Sequence, residues 1–292
     1  MASEGDRRSD PEVERRSRLL GGLHFEGEGA RGVAIALLST AIFAAIVIVA
    51  VTQSAGWPEV KRTFFDWGDI SSSFPDIARA FVLNVKIFLV CEVFILVFAL
   101  IIAVLRSLPG PVFFPLRALA VIYSDLARGV PTILVIALLG FGAPALQLTG
   151  VPRSRVFWAG VGLILVYSGY VAEVYRAGIE SVHPSQEAAA RSLGLSRFKA
   201  LRRVILPQAI RRVIPPLLND FIGLQKDTAL VGTLGVVEAF NQSQIDSAAT
   251  FTYGAYLAAA ALFVAITIPL ARLTDWLIAR DRQKRQAAGG FA

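Results

Sequence analysis

The sequence has 292 residues, of which 55% are hydrophobic and 17% are charged, and its mean hydropathy is +0.59. A soluble domain of this length normally carries about 25% charged residues, so the composition excludes an ordinary soluble protein. The formal charge of +7 does not require nucleic acid as a partner, because membrane proteins collect lysine and arginine on their cytoplasmic loops. We therefore expect an all-α, polytopic bundle of transmembrane helices that contacts membrane lipid and binds no nucleic acid.

Six apolar runs predict six membrane-spanning helices, because each approaches or exceeds the roughly 20 residues that cross a bilayer as helix. The predicted spans are 33–52, 79–105, 115–143, 156–178, 214–239 and 252–277. Residues 1–31 are charged and lack hydrophobic periodicity, which predicts a disordered cytoplasmic tail. We divide the rest into 32–78 (an extra first span and its external segment), 79–279 (the transmembrane domain) and 280–292 (a basic cytoplasmic tail).

Basic residues are distributed unevenly between the two sides of these spans. Residues 1–31 carry six arginines, 176–212 carry eight lysines or arginines, and 280–285 carry four. The last external loop, from Asn241 to Thr250, carries none. Because positive charge collects on cytoplasmic loops, we predict a multi-pass protein of the plasma membrane with both termini in the cytoplasm.

The cytoplasmic loop 181–212 has the pattern of two short helices. Ser185 can cap the first helix, and Glu187 lies where the positive end of the helix dipole favours a carboxylate. Three alanines with high helix propensity make the rest of this helix a thin rod; they are Ala188, Ala189 and Ala190.

A glycine separates this helix from a basic second helix. Gly194 suits a left-handed stop, Ser196 can cap the second helix, and Pro207 is expected to end it. From the residues alone, two interpretations stay open: a docking element for a cytoplasmic protein, or a basic loop lying near lipid headgroups.

The loop resembles the EAA loop of ABC importer permeases, with Gly194 and the ending Val204-Ile205-Leu206-Pro207 at the family spacing. In that family the loop forms coupling helices that dock into a groove on the cytoplasmic ATPase. The resemblance implies an ATPase-coupling set, namely Glu187, Ala188, Ala189, Ala190, Gly194, Leu206 and Pro207. Alignment on Gly194 places the family glutamate on Ala188, one residue after Glu187, so which of the two contacts the ATPase stays open.

Three further stretches resemble the polar amino acid branch of these permeases. They are 128–132, 168–180 and 219–230. The His-Pro-Ser-Gln run at 183–186 and the extra first span look most like glutamate-type permeases of actinobacteria. The resemblance implies the permease subunit of an ATP-driven importer, with glutamate as the leading substrate. It also implies two cytoplasmic ATPase subunits that bind ATP and magnesium, a second permease chain (a paralogue or a copy), and an external amino acid-binding protein.

Polar residues form a broad stripe along the predicted fifth span, and such a stripe faces protein or a water-filled path rather than lipid. Its charged or amide members are Asn219, Asp220, Lys226 and Asp227. Glu173 and Arg176 are three residues apart and could pair, as could Asp125 and Arg128. Two functions stay open for these residues, a lining or inner gate of the translocation path and contacts between helices or subunits. The candidate pathway residues are Asn219, Asp220, Lys226, Asp227, Arg128 and Glu173.

The sequence contains no Gly-x-x-x-x-Gly-Lys-Ser/Thr phosphate loop and no nucleophile–base or metal-ligand cluster, so we predict no catalytic site, no metal and no cofactor in this chain. The chain is therefore not expected to be an enzyme. The alternatives are an ion-driven secondary amino acid carrier and a membrane scaffold that transports nothing.

Overall fold

The computed structural model describes residues 29–289, and all regular structure in that range is helical, without a β-strand. The chain divides after Lys61 into two compact units. The first contains α1 (Gly29–Thr52) and the start of α2 (Trp57–Phe64). The predicted N-terminal tail lies outside the described residues, except that 29–31 form the first turn of α1.

The second unit is a bundle of helices. In chain order they are α3 (Trp67–Ser107), α4 (Phe114–Gly129), α5 (Thr132–Ala145), α6 (Arg155–Glu180), α7 (Pro184–Ser192), α8 (Arg197–Ala200), α9 (Leu206–Asp227), α10 (Ala239–Thr250) and α11 (Gly254–Gly289). A π-helical turn, Leu201–Ile205, joins α8 to α9, and a 3-10 segment, Thr228–Leu234, follows α9. The predicted C-terminal tail is helical as far as Gly289, because α11 continues through it.

Four segments of the described chain are long and apolar enough to cross a membrane. They are Gly32–Thr52, Trp57–Ser107, Arg155–Glu180 and Gly254–Arg280. A fifth span results if α4 and α5 are counted together. The predicted polytopic helical bundle is confirmed, but six spans only approximates the observed count.

The predicted span 214–239 accounts for the difference between the six predicted spans and the four or five observed ones. The helix there, α9, starts earlier at Leu206 and carries charged residues along its length. It stops at Asp227, where the chain tightens into the 3-10 segment that ends at Gly235 with φ +72°. The predicted loop from Asn241 to Thr250 is also corrected, because those residues belong to helix α10.

The predicted span 115–143 is broken in the middle. α4 and α5 meet at 100°, with Val130 in an extended conformation (φ −98°, ψ 130°) between them. The cause is Pro131, because a residue that precedes proline is pushed out of the helical region. The break leaves Arg128 in the last turn of α4.

Helix α6 is the centre of the bundle and packs against α3, α4, α5 and α9. Fully buried side chains such as Ile95, Leu163 and Leu224 form the main core around it. Glycines on α6 let neighbouring helices approach closely. A Cβ on Gly169 would lie 2.4 Å from the Cβ of Ala127 on α4, and one on Gly178 would overlap Val213 on α9.

We predict that Gly169→Ala lowers the thermal unfolding temperature of the purified protein. The added methyl group would meet Ala127, a side chain that cannot rotate away, and overpacking of this kind costs about 1–3 kcal/mol. Gly142→Ala on α5 is the matched control, because a Cβ there meets nothing within 4 Å and alanine favours helix. A Gly169→Ala protein as stable as the Gly142→Ala protein would contradict this account of the α4–α6 contact.

Candidate functional site

The first helix of the loop 181–212, α7, is capped by His183 rather than by Ser185 as predicted. Pro184 occupies the first helical position, which makes the preceding residue the cap. The ring Nδ1 of His183 accepts a hydrogen bond from the backbone N–H of Ser185 at 3.2 Å and lies 2.7 Å from its hydroxyl. Glu187 lies in the first turn, as predicted, and its carboxylate is 3.8 Å from the guanidinium of Arg197.

Gly194 ends this helix in the left-handed conformation that the sequence predicts, with φ +83°. The backbone N–H of Leu195 donates to the carbonyl oxygen of Ala190 at 3.2 Å, and that of Gly194 donates to Arg191 at 2.9 Å. These bonds close the helix and turn the chain toward α8. Ser196 caps α8, as predicted, by accepting from the N–H of Lys199 at 3.4 Å.

The helix that starts at α8 does not end at Pro207, and that prediction is wrong. Helical backbone continues from Arg197 through the π-helical turn into α9. Proline has no N–H and its ring crowds the carbonyl one turn earlier. The wider turn Leu201–Ile205, in which the N–H of Leu206 donates to the oxygen of Leu201, lets the helix pass this residue.

The loop is anchored to the bundle at both ends. Val182, Ile205 and Ala209 form a small buried cluster where α6 ends and α9 begins. The side chain of Arg212 on α9 also donates to the carbonyl oxygen of Ser181. The base of the loop is therefore attached to two of the helices that form the bundle.

Although the loop sequence is largely polar, several apolar side chains are exposed on its surface. The side chains of Leu193 and Phe198 are 84% and 69% exposed. Ala188 and Ala189 on α7 are also exposed, whereas Ala190 is 5% exposed. Leu206 and Pro207 are exposed at the far end. Exposed apolar side chains grouped in this way are typical of a surface that binds another protein.

A cluster of charges links the ends of three membrane helices. Glu173 on α6 pairs with Arg106 on α3 at 2.8 Å and with Arg176 one turn away, and it lies 3.9 Å from Arg128 on α4. Arg128 also pairs with Asp125 at 2.7 Å. Both predicted pairs are thus present, and Arg106 is the member that the sequence did not identify.

We predict that Glu173→Gln destabilises the protein more than Glu180→Gln does. The Glu173 carboxylate is about one-quarter exposed and faces three arginines, whereas that of Glu180 is 61% exposed and pairs only with Arg176. Removing one partner of a partly buried charge cluster leaves its arginines without their counter-charge and costs more than removing an exposed pair, which costs at most about 1 kcal/mol. Thermal unfolding in detergent measures both, and equal shifts would show that the cluster does not hold the helices together.

The residues of the polar stripe on α9 differ in their exposure. Asn219 and Lys226 are exposed, whereas Asp220 and Asp227 are half-buried. The hydroxyl of Tyr167 on α6 donates to Asp227 at 2.9 Å. One carboxylate oxygen of Asp220 is buried without a hydrogen-bond partner in the described part of the chain.

A buried polar network at the start of α10 was not found from the sequence. The carboxylate of Glu238, which is fully buried, accepts hydrogen bonds from the backbone N–H groups of Phe240 (3.0 Å) and Asn241 (2.8 Å). It also accepts from the amide of Asn84 on α3 at 2.8 Å, and the Asn84 oxygen accepts from the N–H of Ala239 at 3.1 Å. The only signal in the sequence is an acidic residue at the end of an apolar run.

Residues 95–283 match a protein family described as "Binding-protein-dependent transport system inner membrane component". The chain is 36% identical over 211 residues to the probable amino-acid permease protein YxeN of Bacillus subtilis, covering 72% of this chain and 93% of the relative. It is 32% identical over 215 residues to the glutamate transport system permease protein GluC of Corynebacterium glutamicum, covering 70% and 92%. It is 36% identical over 170 residues to the probable glutamine ABC transporter permease protein GlnM of Bacillus subtilis, covering 57% and 76%.

The fold is similar to that in a crystal structure of an amino acid ABC transporter with histidines. The TM-score is 0.67 at 28% sequence identity, covering 74% of this chain and 98% of the solved one. Together with the apolar helices, these similarities make the protein a multi-pass membrane protein. The chain belongs to the family of binding-protein-dependent transport system inner membrane components, as a permease subunit of an amino acid ABC importer.

Proposed function

We propose that this permease subunit imports glutamate and that ATP hydrolysis in cytoplasmic partner subunits drives the transport. Glutamate is the substrate in the name of the Corynebacterium relative, which is similar over most of its own length. Another relative is named for glutamine, so glutamine is the competing substrate. The family assignment favours an ATP-driven importer over an ion-driven carrier, the alternative in which carboxylates of the predicted spans would bind the coupling ion.

The observation that carries the coupling proposal is one unbroken run of helix from the loop to the polar stripe. Helical backbone extends from Arg197 to Asp227. Exposed Phe198 lies at its cytoplasmic end, and Asp220 and Asp227 lie toward its other end. A rigid helix of this kind can carry a displacement between two distant sites. A movement of the loop would therefore move the stripe.

The apolar surface of the loop supports the proposed ATPase contact. Leu193 and Phe198 would enter a groove on the ATPase, with Glu187, Ala188 and Ala189 along its side. Gly194 sets the angle between the two short helices, and Leu206 and Pro207 lie where the loop joins α9. Ala190 packs inward and supports the helix rather than contacting the ATPase.

The candidate pathway residues have charges that suit an amino acid. Asp220 and Asp227 can attract the substrate ammonium group, and the exposed Lys226 can attract a carboxylate, with Asn219 as a neutral hydrogen-bonding group. Arg128 and Glu173 belong to the charge cluster that links α3, α4 and α6, where rearranged pairs could open or close the inner end of the path.

The remaining parts of the proposed complex follow from the same assignment. Two permease chains would form the path, each with one ATPase on its loop, and an external binding protein would deliver the amino acid. ATP and magnesium would be bound by the ATPase subunits. Both termini and the loop would lie in the cytoplasm, in agreement with the distribution of lysine and arginine.

Uptake into liposomes that contain the permease, the ATPase and the external binding protein tests this function. We expect ATP-dependent accumulation of labelled glutamate that a tenfold excess of unlabelled glutamine reduces only slightly. Faster uptake of glutamine than of glutamate would overturn the proposed substrate. Uptake that persists without the ATPase and follows an ion gradient would overturn the importer mechanism.

A further inference from the structure

An apolar groove runs along the membrane-spanning helices α3 and α6, away from the polar stripe. It consists of two adjoining cavities of about 470 Å³ and about 300 Å³. The two cavities share four lining residues, Phe94, Phe157, Val161 and Ile164. Tyr123 on α4 borders the larger cavity, and its hydroxyl already donates to the carbonyl oxygen of Leu165 at 2.6 Å.

The groove is open to its surroundings. Phe94 and Phe157 on its walls are 49% and 48% exposed, although both lie on helices long and apolar enough to span a membrane. Gly160 lines the smaller cavity, and the absence of a side chain there deepens the groove. An apolar, concave surface on spanning helices suits a hydrocarbon chain.

One end of the groove carries a cation without a counter-charge among residues 29–289. Lys86 on α3 borders the smaller cavity and makes no ion pair or hydrogen bond with any side chain that the structure describes. Other cations along this helix are paired, Arg79 with Asp76 at 2.5 Å and Arg106 with Glu173 at 2.8 Å. The ammonium group of Lys86 is therefore available to an anion from outside the described chain.

The position of Lys86 along α3 suits the headgroup region of a bilayer. At a rise of about 1.5 Å per residue, the helix from Arg79 to Arg106 is about 40 Å long, close to the thickness of a bilayer with its headgroups. Lys86 lies about 10 Å inward from Arg79, where a flexible lysine side chain can extend back toward the headgroups.

We propose that the groove binds an anionic phospholipid, with the phosphate group on Lys86 and one acyl chain between α3 and α6. The groove from Lys86 to Phe98 is about 18 Å long, slightly more than the ~15 Å of hydrocarbon in one leaflet. It therefore accommodates an acyl chain along most of its length. The charge of Lys86 selects an anionic lipid over other hydrocarbon occupants.

Native mass spectrometry of the delipidated permease with added phosphatidylglycerol or phosphatidylcholine tests this site. We expect the wild-type protein to retain phosphatidylglycerol. Lys86→Gln should bind this lipid about tenfold more weakly, which corresponds to the loss of one hydrogen bond to a charged group. Gly160→Leu should reduce binding of both lipids by filling the groove, because a Cβ there meets only Cys91 Sγ at an ordinary 3.6 Å. Arg79→Gln is the matched control and should bind both lipids as wild type does.

Two outcomes would overturn the proposal. The first is equal phosphatidylglycerol binding in wild type, Lys86→Gln and Gly160→Leu. The second is rapid disulfide cross-linking between two copies of Val161→Cys in the membrane, which would place a second permease chain in the groove. The native cysteine, Cys91, lines the smaller cavity together with Val161, so the cross-linking experiment is done in a Cys91→Ala background, which leaves the introduced thiol at position 161 as the reacting group of each chain.

Discussion

Replacing Gly194 by aspartate is expected to uncouple ATP hydrolysis from transport while the protein still inserts into the membrane. Gly194 has φ +83°, and a Cβ there would meet nothing within 4 Å, so the substitution strains the backbone without a clash. Aspartate adopts the left-handed region more readily than most L-residues do, so the larger effect is the negative charge that it places on the exposed surface proposed to contact the ATPase. We expect transport in proteoliposomes to fall at least about tenfold while ATP hydrolysis continues.

Two variants separate coupling from simple backbone strain. Gly110→Asp introduces the same change at a glycine with φ +88° and open space, in the loop between α3 and α4. It should leave coupling intact. Gly194→Asn should retain more transport than Gly194→Asp, because asparagine adopts the left-handed region as aspartate does but adds no negative charge to the proposed docking surface. Wild-type transport in Gly194→Asp, or equal losses in Gly110→Asp, would contradict the docking role of the loop.

Replacing Glu238 by alanine is expected to be the most destabilising single change outside the hydrophobic core. Its carboxylate accepts three hydrogen bonds, from Phe240, Asn241 and Asn84. Its loss leaves two partly buried backbone N–H groups without their acceptor and leaves the Asn84 amide with Thr228 Oγ1, at 3.2 Å, as its remaining acceptor. Each unsatisfied buried group costs about 1–3 kcal/mol. We expect the thermal unfolding temperature to fall by about 10 °C or more.

The network itself can be tested with a double mutant. Asn84→Ala combined with Glu238→Ala should cost clearly less than the sum of the two single changes, because the two side chains act on each other. Asp275→Ala serves as the control, since that carboxylate is 68% exposed and pairs only with Arg272, and its loss should change stability by less than about 1 kcal/mol. Strictly additive effects of Asn84→Ala and Glu238→Ala would show that their hydrogen bond contributes nothing.

The sequence preferences of helix ends correctly predicted two features of the loop. The left-handed Gly194 and the capping Ser196 are both as expected, because a glycine stop and a serine cap are each determined within one turn of helix. The first cap was assigned wrongly to Ser185, although Pro184 at the first helical position already indicated His183. The prediction that the second helix ends at Pro207 was wrong, because a widened turn lets a helix continue through a proline. Whether such a turn forms depends on packing beyond the local sequence.

Contacts between distant residues could not be predicted in the same way. Glu238 and Asn84 are 154 positions apart, so nothing near either residue indicates that they pair. The same holds for Arg106 and Glu173, which lie on different helices. Hydropathy predicted the polytopic bundle, but it averages over windows and therefore missed the 100° break between α4 and α5. The pathway roles of Asp220, Lys226 and Asp227 remain predictions.

The π-helical turn at Leu201–Ile205 has a consequence for how the loop can move. Such a turn is one residue inserted into a regular helix, so the side chains on its two sides are out of phase by about 100°. If the inserted residue shifts along the helix, the segment between its old and new positions rotates by that angle while the flanking turns keep theirs. The exposed side chain of Phe198 precedes this stretch, so such a shift would leave its direction relative to α9 unchanged and would rotate only residues between Leu201 and Pro207.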